Sequence, residues 1–196
     1  MKHFNLPLFN NSSSGVFLSG GLDSAILSAL ILEKVQNENL NIDLTFLTIN
    51  KTNSIHFVKN ILIQFKDRYK LPFQTQLNID NSGSQTGSIT EAIRRQLSNF
   101  DHVYTGINQN PPIELVQLSG LYPRRPIENN HKNLVLPFMN MYKTDILNLA
   151  VENNLNWIFP ITHSCTESND KKCGTCFACS EREWAFAELG IIDLSP

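Results

Sequence analysis

The sequence predicts an α/β domain built on a parallel sheet and closed by a C-terminal cysteine segment. Three observations carry this expectation. Short apolar runs alternate with stretches of helical periodicity from residue 15 to residue 106, the pattern of βαβ units. A Gly-Gly pair stands at the first strand-to-helix junction. All four cysteines fall between Cys165 and Cys179. At 196 residues, 41% hydrophobic and 17% charged, the chain has the length of about one domain, and its composition is neither disordered nor collagen-like.

The elements follow in order. Residues 1–14 read as a polar lead ending in Asn10-Asn11-Ser12-Ser13-Ser14. Gly15 to Leu18 is a compact apolar run and fits a buried strand. Leu22 to Gln36 carries Ile26, Leu27, Leu30, Ile31 and Val35 at helical spacing. Ile42 to Ile49 is β-branched and apolar, a second strand. Ile55 to Tyr69 sets Ile55, Val58, Ile61, Leu62 and Phe65 on one side of a helix. Phe73 to Ile79 alternates as a third strand, Ile89 to Leu97 is a short helix, and His102 to Gly106 is a fourth strand.

Residues 107–133 contain four prolines and form a long irregular excursion, a substrate-loop candidate inside a compact domain. Val135 to Phe138 is a short strand or an extended entry, and Thr144 to Asn153 a helix. Glu181 to Leu189 is the last helix, stopped by Gly190 as its C′ residue. No linker separates two full domains. The division expected is a lead over 1–14, a main domain over 15–160, and a cysteine segment with its helix over 161–196.

Charge excludes some functions. Lys+Arg is 16 and Asp+Glu 18, a net −2, so the chain lacks the basic surplus of a dedicated nucleic-acid binder. Residues 1–15 lack the apolar core of a signal peptide, and the run Ala25 to Leu32 is too short to span a bilayer. A reducing cytoplasm is the expected compartment.

Ser19-Gly20-Gly21-Leu22-Asp23-Ser24 is the most informative string. It lies between the first strand and the first helix, at the carboxyl end of a parallel strand, where ligands bind. Glycines let the backbone turn tightly and come close to a ligand. The free N–H groups at the helix start carry positive partial charge, and Ser19 and Ser24 add hydroxyl donors, which together suit a phosphate. Asp23 repels a bare phosphate, so it implies a counter-cation such as Mg²⁺ or a helix-capping role.

Cys165, Cys173, Cys176 and Cys179 use every cysteine in the chain. The Cys-Gly-x-Cys-x-x-Cys spacing lets sulfurs converge on one ion, and four thiolates at about 2.3 Å make a closed structural zinc site. An iron–sulfur cluster and free thiols remain the alternatives. His163 stands beside the cluster or faces solvent, outside the ligand set.

Ser-Gly-Gly-x-Asp-Ser after an apolar strand resembles the PP-loop of the N-type ATP pyrophosphatases, which split ATP between its α and β phosphates. It is not a Walker A loop, because no Gly-Lys-Ser/Thr follows. Together with Ser164-Cys165, the cysteine string, Arg182 and Ala185-Phe186, it is similar to the 7-cyano-7-deazaguanine synthase family of the queuosine-precursor pathway. Pro137-Phe138-Met139 with Lys143 and Ile146 matches that family's stretch before the penultimate helix. Ser119-Gly120-Leu121-Tyr122-Pro123-Arg124-Arg125 is similar to its Ser-Gly-Tyr-Pro-Asp-Cys-Arg substrate loop, with a leucine inserted and the Asp-Cys pair missing. The family's Tyr-Gly-Gln-Arg-His and Pro-Gly-Arg-Asn segments are replaced by Asn50-Lys51-Thr52-Asn53-Ser54 and Gln85-Thr86-Gly87-Ser88.

The resemblance implies an adenine-nucleotide alpha-hydrolase-like, Rossmann-like fold that binds ATP, Mg²⁺ and Zn²⁺. It implies that Ser19, Gly20, Gly21, Leu22, Asp23 and Ser24 line a pyrophosphate site, and that Leu47, Thr48, Ile49 and Gly106 border the adenine nucleotide. The implied reaction adenylates a 7-deazaguanine carboxylate and uses ammonia to form the amide or nitrile, releasing AMP and pyrophosphate. Asp23 and Lys143 are the catalytic candidates, with a solvated lysine as the alternative for Lys143. Tyr122, Arg124 and Arg125 are the substrate candidates, against a buried loop tyrosine and a solvated arginine pair. Arg94 and Arg95 are read as surface residues, and Arg182 as a salt bridge near the cysteines. The family is often dimeric, so a homodimer is compatible with the resemblance. The alternatives are a PP-loop enzyme on another substrate, including tRNA modification, and a non-catalytic ATP-binding homologue.

Overall fold

The computed structural model describes residues 4–49, 55–79, 87–115, 131–168 and 170–196. Five strands form one parallel sheet: β1 Ser12–Phe17, β2 Ile42–Ile49, β3 Gln74–Ile79, β4 His102–Tyr104 and β5 Leu134–Val135, in the order β3-β2-β1-β4-β5. Among the described residues the longer helices are α1 Leu22–Asn37, α2 Ile55–Arg68, α3 Gly87–Gln96, α4 Lys143–Glu152 and α5 Phe177–Glu188, with a 3₁₀ turn over Asn156–Ile161. The sheet and the α/β class agree with the sequence.

Strand alternation sorts the core. Val16, Leu18, Leu44, Phe46 and Tyr104 join the large cluster that α1, α2, α4 and α5 cover. Phe17, Leu47 and Val103 point the other way, onto Ala92 and Ile93 of α3. The chain therefore winds outward from β1 to β3 with its helices on one face. It then crosses back under the other face to β4. This reversal opens a crevice between the ends of β1 and β4, where ligands bind in open α/β sheets. Helix α1 is buried nearly all round, with Ala25, Ile26, Leu27, Ala29, Ile31 and Leu32 fully inaccessible. A helix apolar on every side has to be covered on every side.

Several boundaries move. The first strand begins at Ser12, not Gly15, so the lead does not end at 14. Serine patterning looked like a loop, but Ser13 exchanges hydrogen bonds with Asp101, and Ser14 is fully buried beside His102. Earlier residues also pack: Leu6 is buried, Lys34 donates to its carbonyl, and the Tyr104 hydroxyl donates to the Pro7 carbonyl. The last helix starts at Phe177, not Glu181, because the cysteine knuckle feeds straight into it with Cys176 as N-cap.

Gly190 ends α5 as expected, at φ +63°. Its N–H reaches the Ala187 carbonyl and that of Ile191 the Phe186 carbonyl, a Schellman stop. Asn39 and Asn154 close α1 and α4 by the same bonding at φ +50° and +57°. Asparagine tolerates the left-handed region better than most residues, so both stops were harder to see than the glycine. Among the described residues no helix is long and apolar enough to cross a membrane.

Candidate functional site

The Ser19–Ser24 loop sits at the mouth of the crevice. Gly20 takes φ +84°, open to glycine at little cost, and Gly21 is the N-cap of α1 with no side chain capping it. The serines shape the turn. The Ser24 hydroxyl donates to the Gly21 carbonyl and accepts from the Ser19 amide, and it lies 2.9 Å from the Ser19 hydroxyl. Asp23 lies in the first turn and caps nothing, which removes the capping alternative.

Lys143, the first residue of α4, is only 2% exposed and reaches 2.5 Å from Asp23 Oδ2. It is not a solvated lysine. Its ammonium also lies 3.5 Å from Glu181 Oε2, and Asn108 donates to Glu181 Oε1 at 3.0 Å. Asp23 Oδ1 and Asn108 Oδ1 are buried without a hydrogen-bond partner. A buried carboxylate oxygen with an open lone pair is a hard donor of the kind Mg²⁺ takes, so Asp23 fits the expected cation. Glu181 and Asn108 escaped sequence reading. Glu181 sits on the apolar face of its helix, and that misplaced charge was the available signal.

Gly106 follows β4 and presses on the loop. A Cβ there would lie 2.9 Å from Asp23 C and Ser24 N and 3.0 Å from Asp23 O. Those are backbone atoms that cannot rotate away, so Gly106→Ala should displace the loop. Overpacking of this kind costs about 1–3 kcal/mol, and Tm should fall by roughly 2–10 °C. Thermal melts combined with nucleotide titration will check this, and unchanged affinity would contradict it.

Leu47 and Thr48 are buried, and Ile49 is half-buried. The Leu47 carbonyl accepts the Leu18 amide, and the Thr48 hydroxyl donates to the Leu18 carbonyl. These residues fix the end of β2 against β1. Tyr122, Arg124 and Arg125 lie outside the described residues, as do residues 50–54, 85 and 86. Arg94 and Arg95 are exposed.

The four cysteine sulfurs lie within 4.8 Å of one another, with Cys173–Cys179 at 4.0 Å and Cys165–Cys176 at 3.9 Å. Sulfurs about 2.3 Å from a tetrahedral ion stand roughly 3.8 Å apart, so the cluster can hold one metal ion such as zinc. A multi-iron cluster would spread its thiolates wider. Gly174 at φ +73° turns the knuckle. The Thr175 and Cys176 amides donate to Cys173 Sγ and the Ser168 amide to Cys165 Sγ. The Thr175 hydroxyl and the Thr175 and Cys176 amides hold the Cys173 thiol down to about 6, while burial pushes Cys179 up to about 12. Amide donors that favour thiolate suit metal ligation.

His163 is buried, not solvent-facing. Its ring stacks on Phe57, and its Nε2 lies 2.8 Å from the Ser168 carbonyl. Arg182 is a structural hub, as expected. It forks onto Asp193 with two 3.0 Å bonds and donates to the Thr162 and Phe159 carbonyls and to Ser164 Oγ.

Burial pushes the Asp193 carboxyl up, but Arg182 and Ser195 outweigh it and hold the group below its ordinary value. The stability this contributes is present above the unfolded carboxylate value and is lost as pH falls through the folded one. Asp193→Asn should lower Tm at pH 7 by roughly 3–6 °C, and the gap to the parent should shrink as pH is taken toward 3. Parallel melts from pH 7 to 3 decide it, and a constant gap would refute it.

Residues 114–190 match the family model described as Queuosine biosynthesis protein QueC. A 7-cyano-7-deazaguanine synthase of Methanosphaerula palustris is 39% identical over 69 residues, covering 35% of this chain and 30% of that protein. One from Nostoc punctiforme is 43% identical over 60 residues, 31% and 26% of the two chains. One from Caldicellulosiruptor bescii is 38% identical over 60 residues, again 31% and 26%. The matched stretch thus spans less than a third of each relative's length. The family match carries Lys143, the cysteines, Glu181 and Arg182, whereas the Ser19–Ser24 loop lies outside it. Through this C-terminal region the chain is similar to the QueC queuosine biosynthesis proteins.

Proposed function

We propose that the protein is an ATP-dependent synthase that converts a 7-deazaguanine carboxylate to the amide or nitrile with ammonia. The observation that carries this reading is the buried Lys143–Asp23 contact. It joins a phosphate-type loop at the sheet's crevice to the region related to the 7-cyano-7-deazaguanine synthases.

In this reading a carboxylate oxygen of the acid attacks the α-phosphorus of ATP, and the bond to the bridging oxygen of the β-phosphate breaks. Pyrophosphate leaves with the negative charge. The loop amides and the Lys143 ammonium stabilise that charge in a site fixed beforehand. Asp23 would hold Mg²⁺, which supplies further charge neutralisation when bound. Ammonia then adds to the acyl carbon, AMP departs, and loss of a proton leaves the amide. A second ATP adenylates the amide oxygen. The second pyrophosphate leaves in that adenylation, and loss of AMP and of both nitrogen-bound protons then gives the nitrile.

Gly106 keeps the loop backbone close to β4. Glu181 keeps Lys143 in place when Asp23 turns toward a cation. A metal held by Cys165, Cys173, Cys176 and Cys179 would have a structural role, because four sulfurs leave no position for water. Four free thiols also call for a reducing compartment, in line with a cytoplasmic enzyme. Mass spectrometry after incubation with ATP, Mg²⁺, ammonia and 7-carboxy-7-deazaguanine tests the reading. The nitrile or amide mass is expected. Unchanged acid with zinc-loaded protein would sink it.

A further inference from the structure

We propose that the cysteine cluster anchors the Ser19–Ser24 loop through three consecutive residues, so that metal occupancy sets the order of the loop. His163 donates its amide to the Gly20 carbonyl at 2.9 Å. Ser164 Oγ accepts the Leu22 amide at 3.5 Å and an Arg182 N–H at 3.3 Å. Cys165 contributes its sulfur to the cluster. The three neighbours thus bind the turn of the loop, the first amide of α1 and the metal position in sequence.

Two further contacts stiffen the strap. The His163 ring lies 2.8 Å from the Ser168 carbonyl, and the Ser168 amide donates to Cys165 Sγ at 3.3 Å. Arg182 on α5 fixes Ser164 from the other side. The strap borders the loop at ordinary contact distance. A Cβ on Gly21 would meet the His163 carbonyl oxygen at 3.8 Å and Ser164 Oγ at 3.9 Å. Without a cation no bond holds the four sulfurs together, and Cys165 is released from the cluster. Its neighbours cannot then keep bonds of about 3 Å to the loop. His163 and Ser164 are positioning residues in this scheme. The inference goes beyond the proposed reaction and rests on it only where pyrophosphate binding is measured.

Hydrogen exchange on the full chain without nucleotide tests the coupling. Zinc-loaded and chelator-stripped protein are compared, together with zinc-loaded Ser164→Ala. Amides of residues 19–24 should exchange about tenfold faster in the stripped protein and severalfold faster in Ser164→Ala. Amides of Val16, Phe46 and Leu30 exchange through global opening and should hold their rates in Ser164→Ala. Loop rates unchanged on stripping, or a rise in Ser164→Ala shared equally by the core strands, overturns the proposal. If stripping unfolds the chain, Ser164→Ala decides alone, because it keeps every metal ligand.

Calorimetry with pyrophosphate adds a second readout, with affinity expected to fall about tenfold in Ser164→Ala. Unchanged affinity in that variant removes Ser164 from the coupling. Absence of binding by the zinc-loaded parent would instead refute the nucleotide reading and leave the exchange result standing.

Discussion

Lys143→Met is expected to cut pyrophosphate release by at least about 10²-fold, the scale of losing one preorganised charge at a reacting phosphate. The substitution keeps an unbranched side chain of similar length, so packing around α4 changes little. Electrostatics change a great deal. Lys143 is buried between Asp23 Oδ2 at 2.5 Å and Glu181 Oε2 at 3.5 Å. Removing the cation leaves both carboxylates without that partner in a poorly hydrated place. Breaking a buried pair from one side costs about 3–5 kcal/mol, so Tm should drop by roughly 6–20 °C.

A merely structural lysine predicts a different pattern. In that case Lys143→Met with Glu181→Gln should regain stability and activity together. For a lysine that faces the phosphates, the pair should regain stability and stay inactive. Melts and a pyrophosphate-release assay on both variants separate the two cases. Near-parental turnover by folded Lys143→Met would remove this residue from the chemistry.

What could be read from the chain was mostly local. The Ser19–Ser24 string and the cysteine spacing each lie within a few residues of sequence, and their chemistry follows from residue type. The centres of β1 and β2 were visible because Val16, Phe17 and Leu18, and Leu44, Phe46 and Leu47, are apolar and buried on both faces. The partnerships were not visible. Asp23 and Lys143 are 120 residues apart, and Asn108 and Glu181 are 73 apart. Only the sheet's reversal between β3 and β4 brings these pairs to one crevice. Ser12–Ser14 failed as a strand signal because the Ser13 amide and hydroxyl are satisfied by Asp101, a residue no local pattern connects to them. Ser164 is an ordinary serine until the 3₁₀ turn and Arg182 deliver its hydroxyl to Leu22.

Cys176→Ser isolates the metal's share of stability. Cys176 is 8% exposed, stands at the N-cap of α5, and has its sulfur 3.9 Å from that of Cys165. Serine is among the best N-cap residues, so the helix start loses nothing by the exchange. What is lost is the fourth soft ligand, because a hydroxyl cannot replace a thiolate in a closed tetrahedral sulfur site. The C-terminal segment has little apolar core of its own beyond Ala185 and Phe186, yet α5 carries both Glu181 and Arg182 in buried positions. Structural zinc contributes about 10–16 kcal/mol of binding free energy in small zinc domains, and even a fraction of that exceeds what these contacts can replace. The expected result is loss of one equivalent of zinc by elemental analysis and a Tm lowered by more than about 10 °C. The parent treated with a chelator should melt at the same temperature as the variant. If Cys176→Ser retains zinc, or if chelation leaves the parent's Tm unchanged, the cluster is not the clasp that holds α5 to the sheet domain.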